Sequence, residues 1–384
     1  MNSPQPGPLA GMRIIEIAHM LAGPYCGMLL ADLGAEVIKI EPPTGDIART
    51  VGAPEVDGHN TYFASLNRNK RSVVLDLASP QGQSALHALV RDAKGLITNL
   101  RPSAIKKLGL TYDRLAPSNP ALACLALTGF GLSGPFADRP AYDYIIQAVT
   151  GILTLTGDPD GPPVRAGYSM VDNSSGIMAA FALVAVIYSG RGGQVDVSLY
   201  DTLLSQLNYI ASAHLNGGEE PKRYKSGAHS YFVPAQIFET KDGYLALFVT
   251  HDEFWRKMSM ELGCPHWLSD PRFATTRARA ENRDVVLAEL ETLWRTEDTA
   301  HWISRLAPLG VVIAGVETLG HALDSELTHS RQMIVQIPTV GGSLKLIASP
   351  IKIDGFQARY GVPPHLGEHT SELLQATPDR DVTK

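Results

Sequence analysis

The sequence predicts an α/β protein, with an open, Rossmann-like parallel sheet in a large domain and a smaller α+β domain inserted late in the chain. Strand-like and helix-like segments alternate through the first half, the pattern of a parallel sheet with helices on both faces. The texture changes after the polar stretch Leu215–Lys225 (LNGGEEPKRYK), which reads as a linker, and β-rich sequence resumes at Met333. At 384 residues, 44% apolar and 19% charged, the chain has the length of two domains and an ordinary globular balance.

In order, Arg13–Ile17 reads as a strand, followed by a loop over Ala18–Gly23 and a helix over Tyr25–Leu33. Pro24 suits the first helical turn and Gly34 stops the helix. Glu36–Glu41 is the next strand, ended by Pro42-Pro43. The unit repeats: strand Ser72–Leu77, helix Pro80–Ala93, strand Gly95–Asn99, strand Leu122–Thr128. An apolar helix then runs to Ser189, a glycine turn follows at Gly190–Gly193, and strand Gln194–Leu199 leads into helix Tyr200–His214. Past the linker, Ala235–Thr240 and Tyr244–Val249 flank Lys241-Asp-Gly243, a hairpin signal. Helical patterns cover His251–Leu262, Ala280–Trp294 and Thr299–Leu306, and strands return at Met333–Ile337 and Ser343–Ile347. The domains are therefore 1–225 with 326–384, and 226–325.

Net charge is −6, and the Lys and Arg residues form short pairs rather than a basic stripe, which argues against nucleic acid. Cys26, Cys124 and Cys264 lie far apart without C-x-x-C spacing, so neither a disulfide framework nor a zinc knuckle is expected. Met1–Leu9 is polar and Pro-rich with no leader pattern, and the longest apolar run, Ile177–Tyr188, is shorter than the ~20 residues of a bilayer span. The expectation is a soluble cytoplasmic protein.

Gly129-Phe-Gly-Leu-Ser-Gly134 satisfies G-x-G-x-x-G after a strand, but Pro135 and Pro140 forbid the helix whose first turn must cradle a pyrophosphate. The segment reads as a loop whose amides face a ligand rather than as a dinucleotide fingerprint. Glu41 ends the second strand, where a ribose-binding acid sits in nucleotide folds; a surface Glu is the plainer account. The twelve histidines form no metal constellation: His365 and His369 are four apart, but Pro363-Pro364 and Gly367 argue against a shared helical face.

Asp172 is the sharpest candidate. It is a lone carboxylate in Ala166–Gly176, next to a nearly apolar run. Asp-Asn-Ser-Ser before an apolar helix is the pattern of an N-cap. A helix N-terminus also favours the ionised form, and only an ionised carboxylate is a nucleophile. Spacing alone leaves cap and nucleophile open.

Several segments together resemble the family III CoA-transferases, the group of formyl-CoA transferase and carnitine CoA-transferase. They are Ala22-Gly-Pro24 with Leu33–Glu41, Asn67–Ser72 leading into Leu75-Asp76, Asn99–Pro102, Gly129–Gly131 with Ser133–Pro135, Ala141–Asp143 with Gln147-Ala148, Asp172, Gly192–Gln194 and Leu366–Thr370. The resemblance implies that Asp172 is the catalytic aspartate. It also implies that His19, Met20, Leu21, Ala22, Leu75, Asp76, Asn99, Leu100, Arg101, Lys107, Gly129, Phe130, Gly131 and Tyr142 line the CoA site. Pro42, Ala78 and Thr128 stand where formyl-CoA transferase has cations, so the phosphates must find others among Arg49, Arg68, Lys70, Arg71 and Arg101. The shielding glycine loop of formyl-CoA transferase is absent in that form, with Gly217-Gly218 as its candidate analogue.

The same family contains α-methylacyl-CoA racemases. A racemase needs two acid/base groups on opposite faces of the substrate. Tyr142 replaces the histidine that precedes the aspartate of that subgroup, and a phenol is a poor base at neutral pH. The implied activity is CoA transfer from an acyl-CoA to a small carboxylic or dicarboxylic acid through an aspartyl–CoA intermediate. The alternatives are a racemase and a silent CoA-binding paralogue. The resemblance further implies an interlocked homodimer and CoA as substrate rather than a tightly bound cofactor; from composition and spacing, no metal, membrane or nucleic-acid partner is expected. Arg165, Tyr168, His229 and Tyr231 are the candidates for a distal substrate carboxylate.

Overall fold

The computed structural model describes residues 6–375, in two compact units. The first comprises residues up to Thr150, Gly167–Tyr209 and the chain from Glu326; the second comprises Gly151–Ala166 and Ile210–Ser325. The second unit thus begins at residue 210 rather than 226, and it also takes in 151–166.

The elements in chain order are β1 (Arg13–Ile17), α1 (Ala22–Asp32), β2 (Glu36–Glu41), α2 (Thr61–Asn67), β3 (Lys70–Val74), α3 (Pro80–Val90), β4 (Gly95–Thr98), α4 (Pro102–Lys107) and β5 (Ala123–Thr128). They continue with α5 (Asp143–Val149), α6 (Met170–Tyr188), β6 (Gly193–Ser198), α7 (Leu199–Gln206) and α8 (Asn208–Gly217). All six strands are parallel, in the order β3-β2-β1-β4-β5-β6. This is the doubly wound order, whose direction reverses between β1 and β4 and opens a crevice at the carboxyl ends of the strands.

The two faces of the β1–β3 half differ. Ile15, Ile17, Ile38, Ile40 and Val73 join Leu86, Leu89 and Leu96 in an apolar core. The alternate residues carry charge. Glu16 and Lys39 are direct cross-strand partners, with Lys39 Nζ 3.0 Å from Glu16 Oε1 and 2.9 Å from Asp46 Oδ2. Lys70 Nζ lies 2.7 Å from Glu16 Oε2, and all four side chains are essentially inaccessible. Gly27 of α1 leaves the room this network needs, because a Cβ there would overlap the Glu16 carboxylate.

β3 is an edge strand, and the chain from Leu366 to Thr370 covers its open side. His369 N–H donates to Ser72 O, Ser72 N–H to His369 Nδ1, and Val74 N–H to Thr370 Oγ1. An edge with free amides is a template for unwanted pairing, and this segment consumes it. His365 stacks on His59 with centroids 4.6 Å apart, so both terminal histidines have structural roles.

α6 is a continuous 19-residue helix, long and apolar enough by length and composition to cross a membrane, and longer than the apolar run read from sequence. It packs on α1, β5, β6 and α7 within the first unit. Gly176 makes the α1 approach possible, since a Cβ there would meet Ala22 O at 2.9 Å.

In the second unit, β7 (Ala235–Glu239), β8 (Tyr244–Phe248) and β9 (Val312–Gly315) form an antiparallel sheet in the order β9-β8-β7. With α9 (Asp252–Glu261), α10 (Arg283–Trp294) and α11 (Thr299–Leu306) it encloses a core holding all four tryptophans of the chain. The chain then returns to the first unit as a hairpin, β10 (Ile334–Pro338) and β11 (Ser343–Ile347), packed on Ala64 of α2.

Two helices predicted as single are each two, and both divide at an asparagine. After α7 the chain breaks at Leu207, and Asn208 Oδ1 accepts the Tyr209 N–H. Before α10, Asn282 leaves helical geometry (φ −112°, ψ 31°) and its Nδ2 donates to Ala278 O. Asn side chains compete for backbone groups, which interrupts a helix whose apolar period continues through.

Candidate functional site

A cavity of about 480 Å³ opens at the carboxyl ends of the first strands, lined by Ile17, Ala18 and His19 at the end of β1, Glu41 and Pro42 at the end of β2, and Leu75–Ala78 after β3. Leu100 and Leu108, on either side of α4, complete it. His19 is held by Asn99, which accepts its N–H (3.0 Å) and donates to its carbonyl (2.8 Å). Met20 takes a left-handed conformation (φ 63°), stabilised by its N–H donating to Asp46 Oδ1. Leu21 precedes α1 as its cap residue, and Ala22 is buried as its first residue. Burial pushes the His19 ring below its ordinary pKa, which the Asp46 charge only partly offsets, so the ring is neutral near pH 7. Among the described residues, no Lys or Arg lines the cavity.

The charges that sequence offers for phosphate are largely committed elsewhere. Arg49 forms a two-pronged pair with Glu41 (2.8 and 2.7 Å) and donates to Pro364 O. Glu41 also accepts from Ser72 Oγ and Asp46 N, so it is neither a surface residue nor a free acid for a ribose. Arg68 is paired with Asp32, Lys70 is buried against Glu16, and Arg71 bridges Glu36 and Glu372. Of the five, only Arg101 makes no ion pair among the described residues. It caps α4, directly after cavity-lining Leu100, and Lys107 ends α4 directly before cavity-lining Leu108. Both are exposed.

Gly129–Gly131 follow β5. The chain from Pro135 to Tyr142 is irregular, so no helix follows the third glycine, as its prolines predict. Gly131 N–H donates to Thr128 Oγ1 and Leu132 N–H to Asp196 Oδ2. The Gly129 and Phe130 amides have no protein acceptor among the described residues. Phe130 packs between Phe136 and Tyr200, and Tyr142, the cap residue of α5, is 65% exposed.

Asp172 is not the N-cap of its helix. Ser169 holds that position, without a side-chain bond, and Asp172 is the third helical residue. The capping carboxylate comes from another helix. Asp143 of α5 accepts the Val171 N–H on Oδ2 (2.8 Å) and the Gln147 Nε2 on Oδ1 (2.7 Å). Asn173 N–H, next to Asp172, is spent on Ser169 O.

The half-buried Asp172 carboxylate accepts no hydrogen bond and pairs with no cation among the described residues. Burial, reinforced by the Asp143 charge, pushes its pKa up to about 7. The helix N-terminus acts in the opposite direction, by about 0.3–1 kcal/mol. Burial wins, so Asp172 is not held permanently ionised as its place at a helix start suggests. A strongly raised carboxylate without a partner is the electrostatic mark of a functional group. The sequence reading missed Asp143 as a cap, and Lys39 with Asp46 as supports of the His19–Met20 turn. Lys39, alone among the isoleucines of its strand, was the available signal.

Within the second unit, Gly217 ends α8, Gly218 is left-handed (φ 65°), and Glu219 accepts the Tyr231 hydroxyl (3.0 Å). His229 Nδ1 accepts the N–H groups of Tyr231 and Phe232, so Nε2 carries the hydrogen of the neutral ring. Arg165 Nε donates to Ala166 O, while Tyr168, in the first unit, is 58% exposed.

The pattern of CoA-transferase family III matches residues 9–370. A succinate–glutarate CoA-transferase of Agrobacterium fabrum is 35% identical over 384 residues, covering 96% of this chain and 95% of the relative. An acetyl-CoA:oxalate CoA-transferase of Acetobacter aceti is 34% identical over 375 residues, covering 96% and 95%. The crystal structure of a CAIB/BAIF family protein from Brucella suis matches with a TM-score of 0.85 at 32% identity, covering 97% of this chain and 100% of that one.

Proposed function

The chain belongs to CoA-transferase family III, and from that premise we propose that it moves CoA from a donor acyl-CoA to a small carboxylic or dicarboxylic acid, with Asp172 as the covalent carrier. The observation that carries the proposal is Asp172 itself, an uncompensated carboxylate at the start of a long apolar helix. The names of the relatives support a dicarboxylate such as succinate or glutarate on one side of the exchange.

In the first step an Asp172 oxygen attacks the thioester carbonyl carbon. The C–S bond breaks, leaving a mixed anhydride and CoA thiolate. The thiolate attacks the Asp172 carbonyl carbon, the anhydride C–O bond breaks, and the donor acid departs from an aspartyl–CoA thioester. The acceptor carboxylate then attacks that thioester, and the two steps run in reverse to release the new acyl-CoA. Thioesters of similar energy stand at both ends, so catalysis consists of placing CoA and excluding water. The free amides of Gly129 and Phe130 are the donors we assign to the oxyanion. The apolar cavity beside neutral His19 suits the flat base of CoA, with Arg101 and Lys107 at its rim for phosphate.

An apolar stripe supports a homodimer. Ile177, Phe181 and Tyr188, on α6, are 53%, 71% and 93% exposed, an open apolar surface of the kind that marks an interface. The buried, unpaired cysteines Cys26 and Cys124 suit a reducing cytoplasm.

Mass spectrometry after mixing with succinyl-CoA tests the mechanism. A CoA-sized adduct on the peptide holding Asp172 is expected, and it should disappear in Asp172→Ala together with exchange. No adduct in the wild type, with full activity in Asp172→Ala, overturns the proposal.

A further inference from the structure

The sequence places a capping carboxylate at the head of α6, and the structure supplies one from a different residue. Asp143 is 6% exposed and both its oxygens accept, Oδ2 from the Val171 N–H and Oδ1 from Gln147 Nε2. It therefore ties the start of α5 to the start of α6, one residue before Asp172. An acceptor so satisfied by two donors holds its charge in place. That charge acts directly on Asp172, which has no cation to balance it.

We propose that Asp143 is the positioning residue of this site: by accepting the Val171 N–H it fixes the first turn of α6 and the direction of Asp172, and its charge stands beside that of the nucleophile. The proposal rests on the reading of Asp172 as nucleophile. The chemistry explains the arrangement. A carboxylate that titrates nearer to neutrality is the more reactive nucleophile, and the same repulsion favours the step that turns Asp172 into an uncharged acyl group. Burial is the larger cause of the raised Asp172 pKa and the Asp143 charge the second, so Asp143 tunes a shift that the fold creates.

Other titratable groups sit on the elements packed against α6 and near its head. They are Tyr25 and Cys26 on α1, Tyr62 on α2, Cys124 on β5, Asp196 on β6 and Asp201 on α7. Burial pushes the phenols Tyr25 and Tyr62 up and the Cys26 and Cys124 thiols further up, which leaves these four neutral near pH 7. Asp196 accepts the Leu132 N–H. Among the charged groups, Asp143 is the one that acts on Asp172.

The test is the pH dependence of adduct formation on Asp172, measured with succinyl-CoA in single-turnover mixing for the wild type, Asp143→Asn and Asp143→Ser. Asp143→Asn keeps an oxygen for the Val171 N–H and removes the charge, whereas Asp143→Ser, one atom shorter, removes the charge and that bond together. The acid limb should move to lower pH by roughly half a unit to one unit, without returning to the ordinary carboxylate range. Limbs coincident with the wild type overturn the tuning role. Hydrogen exchange in the wild type tests the positioning role without any variant. The Val171 amide should exchange slowly, and exchange at the rate of an open helix end overturns that role. A wild type that forms no adduct at any pH refutes the reading of Asp172 instead, an outcome separate from the other two.

Discussion

Two groups of buried acids in the first unit show how the same side chains become scaffold or reagent. Beneath the cavity, Glu16 and Asp46 are fully buried, and Lys39 and Lys70 stand within 3.0 Å of their oxygens. Burial alone would raise the Asp46 pKa, but Lys39 and the Ala48 and Met20 amides outweigh it and hold Asp46 below its ordinary value. At the head of α6, Asp172 is less buried, faces Asp143, and is pushed up to about 7. The difference lies in the partner. A compensated carboxylate is locked and inert, whereas an uncompensated one keeps the reactivity a nucleophile needs.

Breaking the compensated side should have the largest effect. Lys39→Met leaves Glu16 and Asp46 buried with one cation fewer, and urea unfolding should show a loss of about 3–5 kcal/mol. Because Asp46 supports the Met20 turn, acyl-CoA affinity should fall with it.

Removing the charge from the uncompensated side should act in the opposite direction. The unfolded chain protonates Asp172 only near ~3.9, whereas the folded protein does so at about 7. The folded state therefore binds the proton more tightly, and the stability this contributes is complete below the unfolded value and lost as pH rises through 7. Asp172→Asn should unfold at higher urea than the wild type at about pH 8, by ~1–3 kcal/mol, with the difference closing below about pH 4. It should be inactive throughout, so stability and activity separate at one residue.

The same titration should appear in the rate. Exchange needs ionised Asp172, so activity should fall about tenfold per pH unit below 7, measured with buffers that leave the fold intact. A limb near pH 4 would instead mean that the site compensates Asp172 after all.

The smallest effect tests the rim. Arg101→Ala should raise the KM for acyl-CoA about five- to tenfold, leave kcat nearly unchanged, and weaken the dependence of KM on salt, because a rim cation is screened by solvent. A kcat loss larger than the KM change would place Arg101 in the chemistry.

Much of the sheet was legible because its signals are local. β1 and β2 have the predicted limits, since a short apolar strand bounded by Gly or Pro declares itself. β3 starts two residues and ends three residues earlier than predicted, at Lys70–Val74, because its amides and carbonyls pair with β2 on one side and with His369 and Thr370 on the other. Cations were the least legible. Arg49, Arg68, Lys70 and Arg71 are all available on paper, and each is consumed by an acid between eight and more than three hundred residues away. The cap was hidden for the same reason: Asp172 has the local pattern of a cap, and Asp143 has the hydrogen bond.

By itself the sequence determined the alternation of strands and helices, the family, and Asp172 as the residue to examine, because periodicity, turn residues and ordered motifs are properties of neighbours along the chain. Only the tertiary structure decided that Asp172 is raised rather than held ionised. Its charge state depends on burial and on the sign of the nearest charge through space. That charge belongs to Asp143, which folding brings to the head of α6 from the helix before it.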